Sequence, residues 1–133
     1  HLIKVACEAA TGKRDAVAVF GTDYDTPDGT GVRDYIHVSD LAAAHLLALE
    51  ALIEQPERSL TMNCGYGRGF SVLEVLDAVD RVTNQTIERR LEARRAGDPA
   101  ELVSDPSRIR ETLPWQPKHA ALAQIITHPL QWE

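Results

Sequence analysis

The stretch DLAAAHLLALEALI, residues 40 to 53, limits what this chain can fold into more than any other. Apolar side chains occupy nearly every position around the helix it predicts, and only Asp40, His45 and Glu50 are left to face water. A helix of that kind has to be covered on several sides. In a chain of 133 residues, long enough for one core and too short for two, the covering layer is hard to supply from within. The pattern points to a fold of which part is missing, or to an apolar face covered by a partner. The other reading is a helix at the centre of a compact α/β domain, and composition does not separate the two.

The flanking elements alternate. Leu2, Val5, Ala6, Ala9 and Ala10 recur at helical spacing and Gly12 stops that helix. AVAVF at 16 to 20 reads as a short buried strand, and GTDYDTPDGTG from Gly21 to Gly31 is all turn chemistry. YIHV at 35 to 38 returns to extended structure, and Ser39 caps the apolar helix, which ends before Pro56. LTMNC at 60 to 64 predicts a strand, and SVLE from Ser71 to Glu74 is a capping box opening the helix of Val72, Val75, Leu76, Val79 and Val82. TIERRLE at 86 to 92 alternates like an edge strand. Asp105 caps a short helix with Pro106 at its first position, and a last helix carries Leu122, Ile125 and Ile126 toward Trp132, frayed by Pro129 near His128. The class is α/β.

A formal net charge of −6 makes the overall field repel phosphate backbones, so neither nucleic acid nor an anionic membrane is an expected partner. Any anion site must be local. Cys7 and Cys64 stand far apart with no C-x-x-C pairing, which suggests neither a disulfide nor a thiolate metal site but buried small apolar residues. No basic-then-apolar leader opens the sequence and no apolar run reaches the ~18 residues a membrane span needs, so a reducing cytoplasm is the expected compartment.

Five features bear on chemistry. CGYGRGF at 64 to 70 follows an expected strand and precedes a capped helix, the setting of a dinucleotide loop, but the glycine spacing is wrong and a flexible turn is the better reading. The five histidines show no metal-ligand spacing, and His37 reads as a core histidine. No tyrosine has a lysine four residues on: Tyr24 is followed by Asp28, Tyr35 by Ser39 and Tyr66 by Phe70. Arg33 and Asp34 stand where a glycine-rich loop meets a strand, where an arginine either faces solvent or points at a bound anion. Last comes RRAGDP at 94 to 99, with Arg89 and Arg90 just before it. Guanidinium groups offer planar, bidentate donors to phosphate, Gly97 lets backbone come close, and the Asp98 carboxylate can accept from vicinal hydroxyls. That set suits a nucleotide diphosphate and its ribose; the alternative is a solvated basic edge pairing with Glu88 and Glu92.

FGTDYDTPDGTGVRDYIHVSDLAAAHLLALE, MNCGYGRGFSVLEV and EARRAGDPAELVSDPSRIRETLPWQP together resemble the carboxyl-terminal portion of the UDP-glucose 4-epimerases (UDP-galactose 4-epimerases), in the extended short-chain dehydrogenase/reductase superfamily. The resemblance covers essentially the whole chain and implies the C-terminal substrate-binding lobe of such an enzyme, lacking most of the Rossmann domain. Carried over position by position, it implies that Leu2 and the segment Ala18, Val19 and Phe20 flank the uracil. It implies that Arg33 and Arg95 bind the diphosphate, that Asp98 holds the ribose, and that Leu102 lines the sugar pocket at a position associated with N-acetylated sugars. The family works through tightly bound NAD, held by an N-terminal Rossmann half with a G-x-x-G-x-x-G loop and a Tyr-x-x-x-Lys pair. This sequence contains neither motif. The expectation is a UDP-sugar-binding part whose partner is the missing Rossmann half, which alone holds no NAD and does not epimerise, and which self-associates through its exposed apolar face. The alternatives are an epimerase of a UDP-pentose, UDP-glucuronate or UDP-N-acetylhexosamine, and a non-catalytic nucleotide-sugar-binding module.

Overall fold

The computed structural model describes all of residues 1–133. It contains five helices and five short strands: α1 (Leu2–Ala10), β1 (Val17–Phe20), β2 (Val32–Arg33), α2 (Val38–Glu54), β3 (Phe70–Ser71), α3 (Val72–Thr83), β4 (Arg89–Glu92), β5 (Glu101–Leu102), α4 (Ser107–Thr112) and α5 (Leu122–Leu130). β1 pairs in parallel with β4, Val17 opposite Arg89 and Phe20 opposite Glu92. β2 stands at the centre of a second sheet, antiparallel to β3 and parallel to β5. This is the small α/β fold the sequence implies, without the large parallel sheet of a complete dinucleotide domain.

The core forms where α1, α3 and α5 pack on one another and on β1. Ala6 and Ala10 of α1, Val17 and Val19 of β1, Leu76 and Val79 of α3 and Ile126 of α5 make one buried cluster; Ile3, Cys7, Phe70, Val75 and Ile125 make a second beside it. Each fully buried leucine, isoleucine or valine contributes about 1.5–3 kcal/mol. α3 enters this core through a complete capping box: the Ser71 hydroxyl accepts from the Glu74 N–H, and the Glu74 carboxylate accepts from the Ser71 N–H at 2.7 Å.

α2 behaves differently. One side, with Ala44, Leu47, Ala48 and Ala51, packs on a small cluster of Ile109, Leu113 and Trp115, and the Trp115 indole donates to the Asp40 carbonyl at 2.9 Å. The opposite side carries Val38, Leu46, Leu49 and Ile53, exposed by 73 %, 58 %, 55 % and 69 %. At 3.6 residues per turn these four lie within roughly a quarter turn of one another. The surplus apolar surface of the 40–53 segment is therefore one continuous stripe, uncovered by any part of this chain.

Several expected elements differ. Residues 35 to 37 form no strand, and Val38 already belongs to α2. The cap of α2 is His37, whose ring Nδ1 accepts from the Ser39 N–H, so Ser39 lies inside the helix it was expected to start. Residues 60 to 64 form no strand either, although Leu60, Met62 and Cys64 are half-buried while Thr61 and Asn63 are exposed. The period-two pattern is present, but none of these residues makes a backbone–backbone hydrogen bond, and a strand exists only with a ladder partner. Pro106 sits at the cap of α4 while Asp105 accepts from the Ser107 N–H at 2.9 Å. α5 continues through Pro129 to Leu130, although a proline at that position has no N–H to donate to the Ile125 carbonyl.

Candidate functional site

A cleft of about 520 Å³ opens between the start of α1, the outer face of β1, the start of β2 and the loop after β4. Leu2, Ala18, Phe20, Arg33, Arg95 and Asp98 all line it, although they span almost the whole chain. Within β1, Ala18 and Phe20 face the cleft and Val17 also borders it, whereas the Val19 side chain lies fully buried in the core. Val19 therefore offers the cleft backbone alone. Leu102 stands beside Arg33 in the β2–β5 register but is 61 % exposed and lies outside the cleft wall.

The arginine-rich segment divides into four separate jobs. Arg89 reaches Asp77 at 2.8 Å and Asp80 at 2.6 Å, bracing β4 against α3. Arg90 pairs loosely with Glu88 at 3.4 Å on the open surface, and no pair with Glu92 forms. Arg94 turns back onto the loop after β1, where its Nε donates to the Asp23 carboxylate at 2.6 Å and its guanidinium lies 4.3 Å from the centre of the Tyr24 ring. Arg95 points the other way, stacked 3.6 Å from the centre of the Phe20 ring.

Arg95 has no carboxylate partner, and neither has Arg33, whose two terminal nitrogens donate only to the Val32 and Pro99 carbonyls, at 2.7 and 2.9 Å. Arg14, which also borders the cleft, is bound to Glu8. Two guanidinium charges thus stand on one cleft wall without counter-ions, on a protein that is acidic overall, an arrangement able to receive an anion. Asp98 completes it: Gly97, with φ +84°, turns the chain so that the Asp98 N–H closes on the Arg95 carbonyl at 3.3 Å and the carboxylate stands free of any cation. Tyr35 also lines the cleft; burial pushes its hydroxyl up to about 12, against the opposing pull of Arg33, so it stays protonated and able to donate.

Two carboxylates hold the walls in place. Asp28 accepts from the Thr30 N–H at 2.9 Å and from the Ser71 hydroxyl, latching the loop after β1 to the cap of α3. Burial raises its pKa, and the hydrogen bonds from Ser71 and Thr30 outweigh that and hold it below the usual range. Asp34 accepts from the Ser104 N–H at 3.0 Å, tying the end of β2 to the segment after β5. In the first loop Gly29, at φ +79°, has no substitute, since a Cβ there would stand 2.2 Å from the Thr22 carbonyl oxygen.

Arg33, Arg95 and Asp98, singled out in the sequence, line this one cleft, and so do Tyr24 and Tyr35, which were not singled out. The signal for Tyr24 was an aromatic residue amid turn formers; it is buried, and its hydroxyl has no partner. His37 is a buried, hydrogen-bonded histidine, as expected. The glycines of CGYGRGF form a close-packed turn: a Cβ on Gly65 would meet the Ser104 hydroxyl at 2.1 Å and one on Gly69 would meet Val32 at 2.5 Å. Cys7 is buried, and burial, with lesser help from Glu133 and Glu8, pushes its thiol up to about 11; Cys64 is half-buried, less enclosed than expected. No group of three or more His, Cys, Asp or Glu side chains is arranged to hold a metal ion, and no helix is long and apolar enough to cross a membrane.

Residues 1–65 match the model of the NAD dependent epimerase/dehydratase family. The UDP-glucose 4-epimerase of Azospirillum brasilense is 56 % identical over all of this chain, which covers 38 % of that protein. Among solved structures, the UDP-Glc/GlcNAc 4-epimerase of Campylobacter jejuni matches with a TM-score of 0.86 at 50 % identity, over 98 % of this chain and 39 % of that one. The UDP-glucose-4-epimerase of Stenotrophomonas maltophila with bound NAD and formylated UDP-arabinopyranose matches with a TM-score of 0.92 at 42 % identity, over 99 % and 39 %. The chain thus spans about two-fifths of the length of the relatives it matches.

Proposed function

The chain is the counterpart of the carboxyl-terminal part of the UDP-glucose 4-epimerases, in the NAD dependent epimerase/dehydratase family, and on that premise we propose that its cleft grips the UDP end of a nucleotide sugar for inversion at C4. The observation that carries the proposal is the pair Arg33 and Arg95, two unpaired guanidinium groups on one wall with the Asp98 carboxylate beside them. The arginines hold the two phosphates. Asp98 accepts from the ribose hydroxyls, and Leu2, Ala18 and Phe20 supply an apolar slot for the uracil ring, with backbone contact from Val19.

In the intact protein NAD supplies the redox chemistry at the sugar. The residues present do not fit that cofactor: the glycine-rich turn at 65 to 69 is filled by Ser104, Val32 and Val103, and no tyrosine is followed by lysine at the fourth position. NAD is therefore assigned to residues beyond these 133, and the 133-residue polypeptide by itself holds none and does not epimerise. Its own contribution is to anchor the diphosphate while the sugar beyond it stays free to present either face.

The sugar is left open at this end of the site. Leu102, exposed beside Arg33, closes no wall around a hexose in this chain, which favours as a second reading that a UDP-N-acetylhexosamine is also accepted. The uncovered stripe of α2 belongs to the same proposal: it meets the remainder of the protein when that is present, and a second copy of this chain when it is not. Cytoplasm, where nucleotide sugars are made, is the proposed compartment.

Two arginine–phosphate interactions of about 2 kcal/mol each correspond to a dissociation constant on the order of 1 mM. Titration of the 15N-labelled chain with UDP should move the amides of Arg95, Gly97 and Asp98 at millimolar ligand. Uridine, lacking the phosphates, should bind at least about tenfold more weakly, and Arg95→Ala should weaken UDP by about thirtyfold. Equal affinity for uridine and UDP, or no movement of these amides at 20-fold excess over about 1 mM, would sink the proposal.

A further inference from the structure

Three histidine rings that the cleft does not use meet at one point. His37 caps α2, His119 lies in the loop before α5, and His128 stands in the last turn of α5; their centroids are 4.5, 4.8 and 5.3 Å apart. The hydrogen bonds settle where the protons sit. The Ser39 N–H can only donate, so His37 Nδ1 accepts, at 3.1 Å, and the His37 proton is on Nε2. That Nε2–H donates to His128 Nδ1 at 2.7 Å, which leaves the His128 proton on its own Nε2.

The one opposite charge that faces the cluster is already hydrogen-bonded to other groups. From α2, Asp40 faces the cluster, but its oxygens already accept from the Lys118 N–H and His119 N–H, each at 2.9 Å, and from the Tyr66 hydroxyl at 2.7 Å. From the loop before β3, that hydroxyl also accepts from the His37 N–H at 3.1 Å. From the loop before α5, Lys118 contributes its backbone while its side chain is exposed, and His119 Nδ1 is buried with no hydrogen-bond partner. No histidine ring in the cluster is paired with a carboxylate.

A proton added to the His37–His128 pair has nowhere to go without breaking a bond. On His128 Nδ1 it sets two donors face to face across 2.7 Å. If His37 keeps the bond by moving its own proton to Nδ1, that proton meets the Ser39 N–H and α2 loses its cap. On His119 it places a charge 4.5 Å from the His37 ring, at the positive end of the α2 dipole. We propose that His37, His119 and His128 form an acid-sensitive clasp, closed only while all three rings are neutral, which ties α5 to the N-terminus of α2 and is opened by a single proton. His37 follows Arg33 by four residues, so the clasp braces the segment on which the chain leaves the cleft.

The His37 ring is held below the ordinary histidine range, by burial first and then by the neighbouring His119 and His128, with Asp40 pulling the other way. Because the folded value is the lower one, the unfolded chain takes the proton first. The stability contributed by the clasp is complete above about pH 6.5, falls as pH drops through that value toward the folded pKa, and levels off below it.

The test is 15N-histidine correlation NMR of the 133-residue chain from pH 8 to 5, alongside urea unfolding. His37 and His128 should both be Nε2–H tautomers at pH 7.5, the Ser39 amide should shift with the first titration of the cluster, and the unfolding constant should rise by up to about tenfold per pH unit below 6.5. In His128→Phe, which keeps a ring but removes the acceptor, that rise should shrink at least twofold. His37 as an Nδ1–H tautomer or a tautomer mixture at pH 7.5 overturns the clasp, and so does an unchanged pH slope in His128→Phe. Should that variant fail to fold, the tautomer reading on the unaltered chain decides alone.

Discussion

α2 and α3 follow one another in sequence and are both rich in apolar residues, yet they meet opposite fates. α3 places Val75, Leu76, Ala78 and Val79 in the core and turns Glu74, Asp77 and Arg81 outward, so its pattern closes within this chain. α2, at 17 residues the longest element, buries only Asp40 and Ala44 and shows the solvent a continuous apolar stripe. Helix propensity does not distinguish them. The difference lies in the width of the apolar face: one stripe is satisfied by one neighbour, whereas an apolar surface on two opposite sides needs two.

The largest effect that separates the two helices is Leu76→Ala against Leu49→Ala. Leu76 has no exposed surface, and its truncation should cost about 3 kcal/mol, a large part of the stability of so small a domain. Leu49→Ala should fall within about 0.5 kcal/mol of the unaltered chain. Urea unfolding of both checks this. Equal losses would mean that α2 is already covered in solution, and the contrast drawn above would not hold.

Next is the buried carboxylate of α2. Asp40, 3 % exposed, accepts from two backbone N–H groups and from the Tyr66 hydroxyl, and Asp40→Ala should cost about 2 kcal/mol by orphaning those donors. Burial raises the Asp40 pKa, but the hydrogen bonds from Lys118, Tyr66 and His119 outweigh it and hold the carboxyl below its ordinary range. A lowered folded pKa means stability that is complete above about pH 3.9 and is lost as pH falls through the folded value. The acid limb of the stability profile should therefore flatten in the variant. An unchanged limb would show that the Asp40 carboxylate adds nothing to the hold on α2.

Smaller again is Ser71→Ala, which removes half of the capping box of α3 and the hydroxyl that Asp28 holds. The expected loss is about 1 kcal/mol by urea unfolding. No comparable loss follows from Ser39→Ala, because His37, not Ser39, caps α2. The reverse ranking would overturn the assignment of the caps.

How much of this could be read from residues alone depended on the range of the interaction. The capping box, the glycine stop after α1 and the surplus of apolar residues at 40 to 53 are local patterns and are found where they were expected. Residues 60 to 64 have the alternation of a strand without its partner, and no local rule can supply a ladder. Arg33 and Arg95 lie 62 positions apart and share a cleft only because the loop after β4 folds back over β1 and β2; the family resemblance, not the spacing, singled them out. The meeting of His37 with His128 is invisible for the same reason.

The last prediction leaves fold stability nearly untouched and concerns association. Leu49 and Ile53 lie on one side of α2 at i, i+4 spacing, with Leu46 a turn before them, and replacing both by lysine adds charge to a surface that already faces water. The unfolding free energy should stay within about 0.5 kcal/mol of the unaltered chain. If the stripe is what copies of the chain share when nothing else covers it, sedimentation equilibrium should show association weakened at least about tenfold, since two apolar anchors of about 1 kcal/mol or more each are lost from each copy. Unaltered association in the double variant would place the sticky surface elsewhere. It would also leave the excess of leucine in α2 with no purpose visible in this chain, and that outcome would break the contrast with α3 more completely than any change in stability.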